Sequence, residues 1–313
     1  MTGVLVLRAL GLGDLLTAVP ALRGLRRRYP GERLVLAAPE GLRDLVELID
    51  AVDELLPTAG LGTLDRSGEP PTIAVNLHGS GPQSISDLLR REPGELLTHL
   101  HPDFPDLPGI EWRDDIHEVE RWCRLVEFAG GDADRGDLGL PTPPGPSPEP
   151  DTVVIHPGAA FPARRWPTER FAYVARALHR AGHRVVVTGS GSERALATEV
   201  AEVAGLPGTA VLAGRTALAE LAALVAGAAL VVCGDTGVGH LATAFGTPSV
   251  LLFGPTPPRL WGPPPGAVQH LTLWVGDVGD PHGPEPHSGL LLLGKERVLA
   301  AARTLVGERA AHG

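Results

Sequence analysis

The sequence predicts an α/β protein built from two doubly wound parallel-sheet domains, and three observations lead there. Short runs rich in Val and Leu alternate with segments of helical period, the mark of repeated βα units. A single Pro-rich stretch separates two such series. The 313 residues also exceed the roughly 250 to 300 at which one core stops growing.

In the first series, strands are expected near 3–8, 33–38, 52–56 and 72–77, with helices near 14–28, 40–49, 82–91 and 116–129. The run from Pro141 to Pro150 can enter neither a helix nor a sheet interior and reads as a stiff connector. After it, strands are expected near 152–156, 183–188, 209–213, 229–233 and 248–253, and helices near 168–181, 192–204, 217–227 and 237–245. The stretch from Pro255 to Pro286 is dense in Pro and Gly and takes no assignment, and a last helix runs from Lys295 to Val306. The domains are therefore 1–140 and 152–294, with a linker at 141–151 and a closing helix at 295–313 that can pack on the first domain.

Composition narrows the partners. A formal charge of −10, with no basic block longer than Arg26-Arg27-Arg28, argues against nucleic acid, so an anionic ligand needs a local basic site. Cys123 and Cys233 are too few and too far apart for a disulfide framework or a zinc site. The start of the chain lacks a basic n-region, and no stretch approaches the ~20 apolar residues of a membrane span. The expectation is a cytoplasmic protein with at most peripheral membrane contact.

Ligands of open parallel sheets bind beyond the carboxyl ends of the strands, which directs attention to four loops. Gly11-Leu12-Gly13-Asp14 follows the first strand. Its glycines allow close approach of a ligand, but Leu16 stands where a dinucleotide fingerprint needs its third glycine, and Ala37-Ala38 end the second strand without the ribose-binding acid. Asp14, at a helix N-terminus, stays ionised at neutral pH; it is either an ordinary cap or a base for an attacking hydroxyl.

Arg164 and Arg165, in the loop after the first strand of the second domain, are either a guanidinium clamp on phosphate or a solvated pair. Trp166 beside them reads as a packing anchor. Gly234-Asp235-Thr236-Gly237-Val238-Gly239-His240 places small residues and free N–H groups at a helix start, a phosphate cradle unless Asp235 or Thr236 caps the helix. The turn from Thr188 to Glu193 is the weakest of the four. His99, His101, His117, His282 and His287 lack the spacing of metal ligands and read as surface or loop residues.

These motifs carry a resemblance. Val4 to Arg8 with Gly11 to Leu16 and Pro20-Ala21-Leu22, then His156-Pro157-Gly158 with Arg164-Arg165-Trp166-Pro167, then Asp235-Thr236-Gly237 with His240-Leu241-Ala242 and Phe253 to Thr256, are similar in type and order to glycosyltransferase family 9, the ADP-heptose:lipopolysaccharide heptosyltransferases. The resemblance implies a GT-B fold, two Rossmann-like domains facing a central cleft. It also implies an inverting, metal-independent transfer from a nucleotide-diphosphate sugar, with no cofactor. The best match is heptose from ADP-heptose moved to a hydroxyl of a glycolipid such as lipopolysaccharide core, a glycan or a small molecule.

On that resemblance Asp14 is the general base. Gly13, Arg164, Arg165, Asp235, Thr236, Gly237 and His240 serve the donor and its phosphates, and a nucleoside-binding acid falls on Ala219 or Glu220. Arg164 stands where the family usually has lysine, and Ala159 and Ala160 where relatives carry hydroxyls. Two other classes remain in view: an NAD(P)-binding oxidoreductase, against which the missing glycine counts, and a sugar-nucleotide binding protein without catalysis.

Overall fold

The computed structural model describes residues 3–312 apart from Arg66 and Pro146, so Met1, Thr2 and the Pro146 position of the linker lie outside the described residues. The chain divides into two compact units, Met1–Leu138 and Gly139–Gly313.

The first unit contains β1 (Val4–Leu7), α1 (Leu12–Arg28), β2 (Leu34–Ala38), α2 (Arg43–Val46), β3 (Glu54–Pro57), β4 (Ile73–Asn76), α3 (Pro82–Leu89), β5 (Glu95–His99), β6 (Gly109–Ile110) and α4 (Glu118–Phe128). Its sheet has the order β3-β2-β1-β4-β5-β6, and every pairing is parallel. β1 and β4 are wholly buried, as strands covered on both faces must be, and so read as apolar runs but for Asn76 at the end of β4. Leu15, Leu16, Val19, Leu22 and Leu25 bury one long side of α1, each worth about 1.5–3 kcal/mol of transfer from water.

β5 and β6 were invisible to apolar pattern. β5 carries only Leu96 and Leu97 between Glu95 and Thr98-His99, and β6 is two residues long. The helix expected over 40–49 is a 3₁₀ turn, Glu40–Leu42, followed by the single turn of α2.

The second unit contains β7 (Val153–His156), α5 (Thr168–Arg180), β8 (Val185–Val187), α6 (Arg194–Ala204), α7 (Leu218–Ala226), β9 (Leu230–Gly234), α8 (Gly237–Phe245), β10 (Ser249–Leu252), α9 (Pro258–Trp261), β11 (His270–Leu273), α10 (Ser288–Leu292) and α11 (Lys295–His312). Its parallel sheet has the order β11-β10-β9-β7-β8. The strand expected at 209–213 shrinks to one parallel bridge, Val211 to Val187, because Pro207-Gly208 opens a 3₁₀ turn through Ala210. With that bridge counted as an edge, both sheets share one strand order, reversing direction between β1 and β4 and between β7 and β9.

The Pro-rich connector belongs to the second unit: Leu140 N–H donates to the Ala244 carbonyl at 2.9 Å and Asp151 N–H to the Gly227 carbonyl at 3.0 Å. The Pro/Gly-rich stretch after 255 supplies α9 and the edge strand β11. The closing helix, expected from the two-domain plan to pack on the first domain, inserts Val298, Leu299, Ala302 and Leu305 into the core of the second unit, beside Phe171 and Leu252.

Candidate functional site

In the first unit the reversal point lies where β1 and β4 end side by side, Leu7 paired with Asn76. Directly beyond Leu7 comes Arg8, a fully buried arginine at 1% exposure. Its guanidinium is the hub of the region. Nε donates to the Asp14 carbonyl at 3.0 Å, Nη1 to the Leu77 carbonyl, and Nη2 to Glu118 Oε1 at 3.0 Å and Thr17 Oγ1 at 3.4 Å. Trp122 lies under the guanidinium, 4.6 Å from ring centroid to Cζ. Glu118 also accepts from Arg121 and from Trp122 Nε1 at 2.8 Å. A buried charge is tolerable only when so completely partnered.

Asp14 sits at the third position of α1, where its Oδ2 accepts the Gly11 N–H at 3.2 Å and its Oδ1 stands 3.4 Å from Arg8 Nη2. The side chain keeps 30% of its exposure, so the carboxylate is held at the surface of the ion-pair network rather than sealed within it. A helix N-terminus alone lowers a carboxyl pKa. Here burial pushes the Asp14 carboxyl above the ordinary aspartate value, outweighing the Arg8 guanidinium that lowers it, and the Glu118 charge adds to the rise. The outcome is an anchored, part-exposed carboxylate of raised basicity. Gly13 occupies the second position of the same helix.

In the second unit the corresponding reversal lies between β7 and β9. After β7 the chain runs through a 3₁₀ turn, Pro162–Arg164. The two arginines part company there. Arg165 donates through Nε and Nη2 to the Ala159 carbonyl, at 2.9 and 2.8 Å, and so ties its own loop into shape. Arg164 extends over the Phe161 ring, 5.6 Å from its centroid, and its buried Nε has no hydrogen-bond partner among the described residues. Trp166 is buried against Phe171 and donates Nε1–H to the Leu293 carbonyl at 3.0 Å, which anchors the loop's far end.

After β9, Thr236 is the N-cap of α8 and makes no side-chain cap bond, leaving the first N–H groups of that helix to other partners. Asp235 is buried, its N–H donating to the Leu252 carbonyl at 3.1 Å. His240 meets the Trp261 ring edge-on at 6.0 Å. The structure brings this loop against the arginine loop: a Cβ on Gly234 would stand 3.0 Å from the Arg164 carbonyl oxygen, a contact tight enough that glycine suits the approach best. Arg164, Arg165, Asp235 and Thr236 thus belong to two touching loops, with Gly237 and His240 in the first turn of α8 that follows.

Glu220 is exposed, and its carboxylate accepts the Ala217 N–H at 2.8 Å, capping α7. Glu193 ends the fourth and weakest of the candidate loops. It caps its turn through Ser190, and a side chain on Gly158 would collide with it. Although burial raises its pKa, hydrogen bonds from Ser190 and the His156 and Arg165 charges bring it below the ordinary value.

Two groups of the first site escaped sequence reasoning. Glu118 reads as an ordinary first-turn acid, and its pairing with Arg8 spans 110 positions. An arginine directly after four buried apolar residues was the available signal that a partner must exist. His99, expected at the surface, is buried at 1% exposure between Trp112 and Trp122, and its pKa is pushed down to about 4 by burial. His117 accepts the Val119 N–H as the N-cap of α4. Among the described residues, no three or more His, Cys, Asp or Glu side chains are grouped to hold a metal ion.

Two parallel sheets with this shared order and strand-end loops of this kind define a GT-B architecture. The chain belongs to glycosyltransferase family 9, the heptosyltransferase family, whose model matches residues 116–277. It is a glycosyltransferase. It is 26% identical to lipopolysaccharide heptosyltransferase 2 of Salmonella typhimurium, over 97% of this chain and 99% of the relative. Its fold is similar to that of the ADP-heptose lipopolysaccharide heptosyltransferase II of Escherichia coli, with a TM-score of 0.79 and 22% identity over 99% of this chain and 100% of the other. A family 9 glycosyltransferase of Veillonella parvula is similar too, with a TM-score of 0.80 and 23% identity over 97% of each chain.

Proposed function

We propose that this chain transfers heptose from ADP-heptose to a hydroxyl of a lipopolysaccharide core acceptor, in the cytoplasm, with inversion at the anomeric carbon and without a catalytic metal or cofactor. The observation that carries the reading is Asp14: a part-exposed carboxylate at the end of β1, oriented by the Gly11 N–H and Arg8, with its pKa raised by burial. A general base works best with a pKa drawn toward the working pH, and that is the direction of the shift.

The reaction is one displacement. The acceptor hydroxyl loses its proton to Asp14 as its oxygen attacks the anomeric carbon. The bond from that carbon to the diphosphate oxygen breaks on the opposite face, and ADP departs with the electron pair. Arg164 and the uncapped N–H groups of α8 neutralise the charge that grows on the diphosphate, which is the part a metal plays elsewhere. Arg165 holds the shape of the loop that presents Arg164. Asp235, Thr236, Gly237 and His240 line the donor loop, Gly13 admits substrate close to the backbone, and Glu220 meets the nucleoside with the carboxylate oxygen not used for capping.

A cytoplasmic setting accords with two buried free cysteines and with the absence, among the described residues, of any helix long and apolar enough to cross a membrane. The relatives' names supply the donor and acceptor classes.

The test combines a thermal-shift screen of ADP-, UDP-, GDP- and dTDP-sugars with an assay of ADP release from ADP-heptose on deacylated lipopolysaccharide core oligosaccharide. Selective stabilisation by ADP-heptose, and release that persists after treatment with a chelator, are expected. A donor that binds without ever being consumed makes the chain a binding protein instead, and loss of turnover on chelation removes the metal-independent mechanism.

A further inference from the structure

The end of β4 carries a histidine that the mechanism above leaves unused. β1 and β4 run in register to Leu7 and Asn76, so Arg8 and Leu77 lie side by side, and the Leu77 carbonyl accepts from Arg8 Nη1. His78 follows at once, at the sheet's reversal point, where ligands of doubly wound sheets collect. Its N–H donates to Asn76 Oδ1 at 3.1 Å, which fixes the backbone. Asn76 is itself pinned by Ser84 Oγ at 3.0 Å and Thr98 Oγ1 at 3.1 Å. The imidazole therefore rises from a rigid base, into a loop whose Gly79 would meet nothing within 4 Å if it carried a Cβ.

The His78 side chain is partly buried, and its Nδ1 is buried without a hydrogen-bond partner among the described residues. A buried polar atom in that state calls for a reason, and one standing at the reversal point beside Asp14's own anchor has substrate as the reason at hand. Burial, reinforced by the Arg8 charge, pushes the imidazole pKa down to about 4, so the ring is neutral at physiological pH and offers one donor and one acceptor. It does not compete with Asp14 for a proton there. What it adds is direction.

Resting on the transferase reading, we propose that His78 is a second acceptor-side residue, whose imidazole hydrogen-bonds the acceptor sugar next to the hydroxyl that Asp14 deprotonates. Arg8 links the two, touching the carboxylate of one and the backbone carbonyl before the other. An attacking oxygen needs its sugar ring oriented as well as its proton removed, and misplacement at this scale costs rate steeply.

The experiment compares His78→Phe, which keeps an aromatic ring and loses both nitrogens, with His78→Gln, which keeps a donor and an acceptor. Both are assayed with ADP-heptose and deacylated lipopolysaccharide core oligosaccharide, and oligosaccharide binding is measured in parallel by calorimetry. His78→Phe is expected to lose about ten- to a hundredfold in kcat/KM for the oligosaccharide, with the ADP-heptose dissociation constant unchanged, and His78→Gln to recover most of that loss. Wild-type acceptor kinetics in the Phe variant overturn the proposal. So does an equal loss in both variants accompanied by a lowered Tm, which is the mark of a structural role. Absent turnover in the wild type sinks the transferase reading by itself, and His78 is then judged from the oligosaccharide dissociation constants.

Discussion

The two units use arginine in opposite ways. Arg8 of the first unit is wholly buried and its charge is consumed inside the protein, by Glu118 and Asp14. Arg164 of the second extends over an aromatic ring, with a buried Nε that finds no partner among the described residues. Under one sheet topology, the first site places a part-exposed carboxylate on a compensated cation, and the second leaves the Nε of its cation without a partner among the described residues. The lesson is that an arginine at a strand end is read by its partners and not by its position.

The sharpest way to break that contrast is to remove the carboxylate. Asp14→Asn keeps the shape and can still accept from Gly11 N–H, so donor binding survives. A general base contributes about 10² to 10⁴ in rate, and turnover is expected to fall at least about a hundredfold. Turnover equal to wild type takes Asp14 out of the chemistry and leaves it a helix cap.

The next largest effect separates the neighbouring arginines. Arg164→Gln deletes the guanidinium whose Nε lacks a partner among the described residues, and a charge-assisted hydrogen bond of about 1.5–3 kcal/mol corresponds to roughly 10- to 150-fold weaker ADP-heptose binding. Arg165→Gln removes the pair of hydrogen bonds donated to the Ala159 carbonyl, so it should lower Tm and weaken the donor only a fewfold. Calorimetric titration of both variants decides the matter. If Arg165→Gln proves the more damaging to affinity at unchanged Tm, the two roles are exchanged.

These loops also show how far the sequence could be read. The inner strands of both sheets were legible because buried parallel strands are apolar runs rich in Val and Leu, and the strand-end loops holding Asp14, Arg164 and Asp235 were legible as the places where ligands of such sheets collect. What distinguishes Arg164 from Arg165 was not legible, since adjacent identical residues differ only in which carbonyl lies within reach. The Arg8 to Glu118 pair was hidden by its 110-residue separation. β11 was hidden by the prolines and glycines around it, because an edge strand of four residues, two of them partly or fully exposed, carries no pattern of its own.

A smaller effect is common to both units. His99 in the first and His270 in the second, the latter hydrogen-bonded to Ser249 Oγ at 2.8 Å, are held neutral by burial with pKa values of about 4 against an ordinary 6.5. The unfolded chain therefore binds more protons than the folded one between those values, so stability is complete above pH 6.5 and falls as the pH drops toward 4. Each histidine contributes at most about 1.4 kcal/mol per pH unit across that window. Denaturant unfolding at several pH values should show a decline that is shallower in His99→Gln and in His270→Gln. An unaltered slope in both variants assigns the acid lability to other groups.

The finest test shifts the Asp14 carboxyl without touching it. Glu118 sits behind Arg8 and its negative charge raises the Asp14 pKa, while Arg8 lowers it. Glu118→Gln removes that repulsion and leaves more of the Arg8 field to act on Asp14, so the Asp14 pKa must fall. On the proposal that Asp14 acts as a carboxylate base, the acid limb of kcat/KM against pH should move to lower pH, and the less basic carboxylate should slightly lower the plateau. Some stability goes with it, since a carboxamide cannot accept from Arg8, Arg121 and Trp122 at once. A limb that stays in place, or moves to higher pH, would mean that the group titrating in the acid range is not the one Arg8 holds.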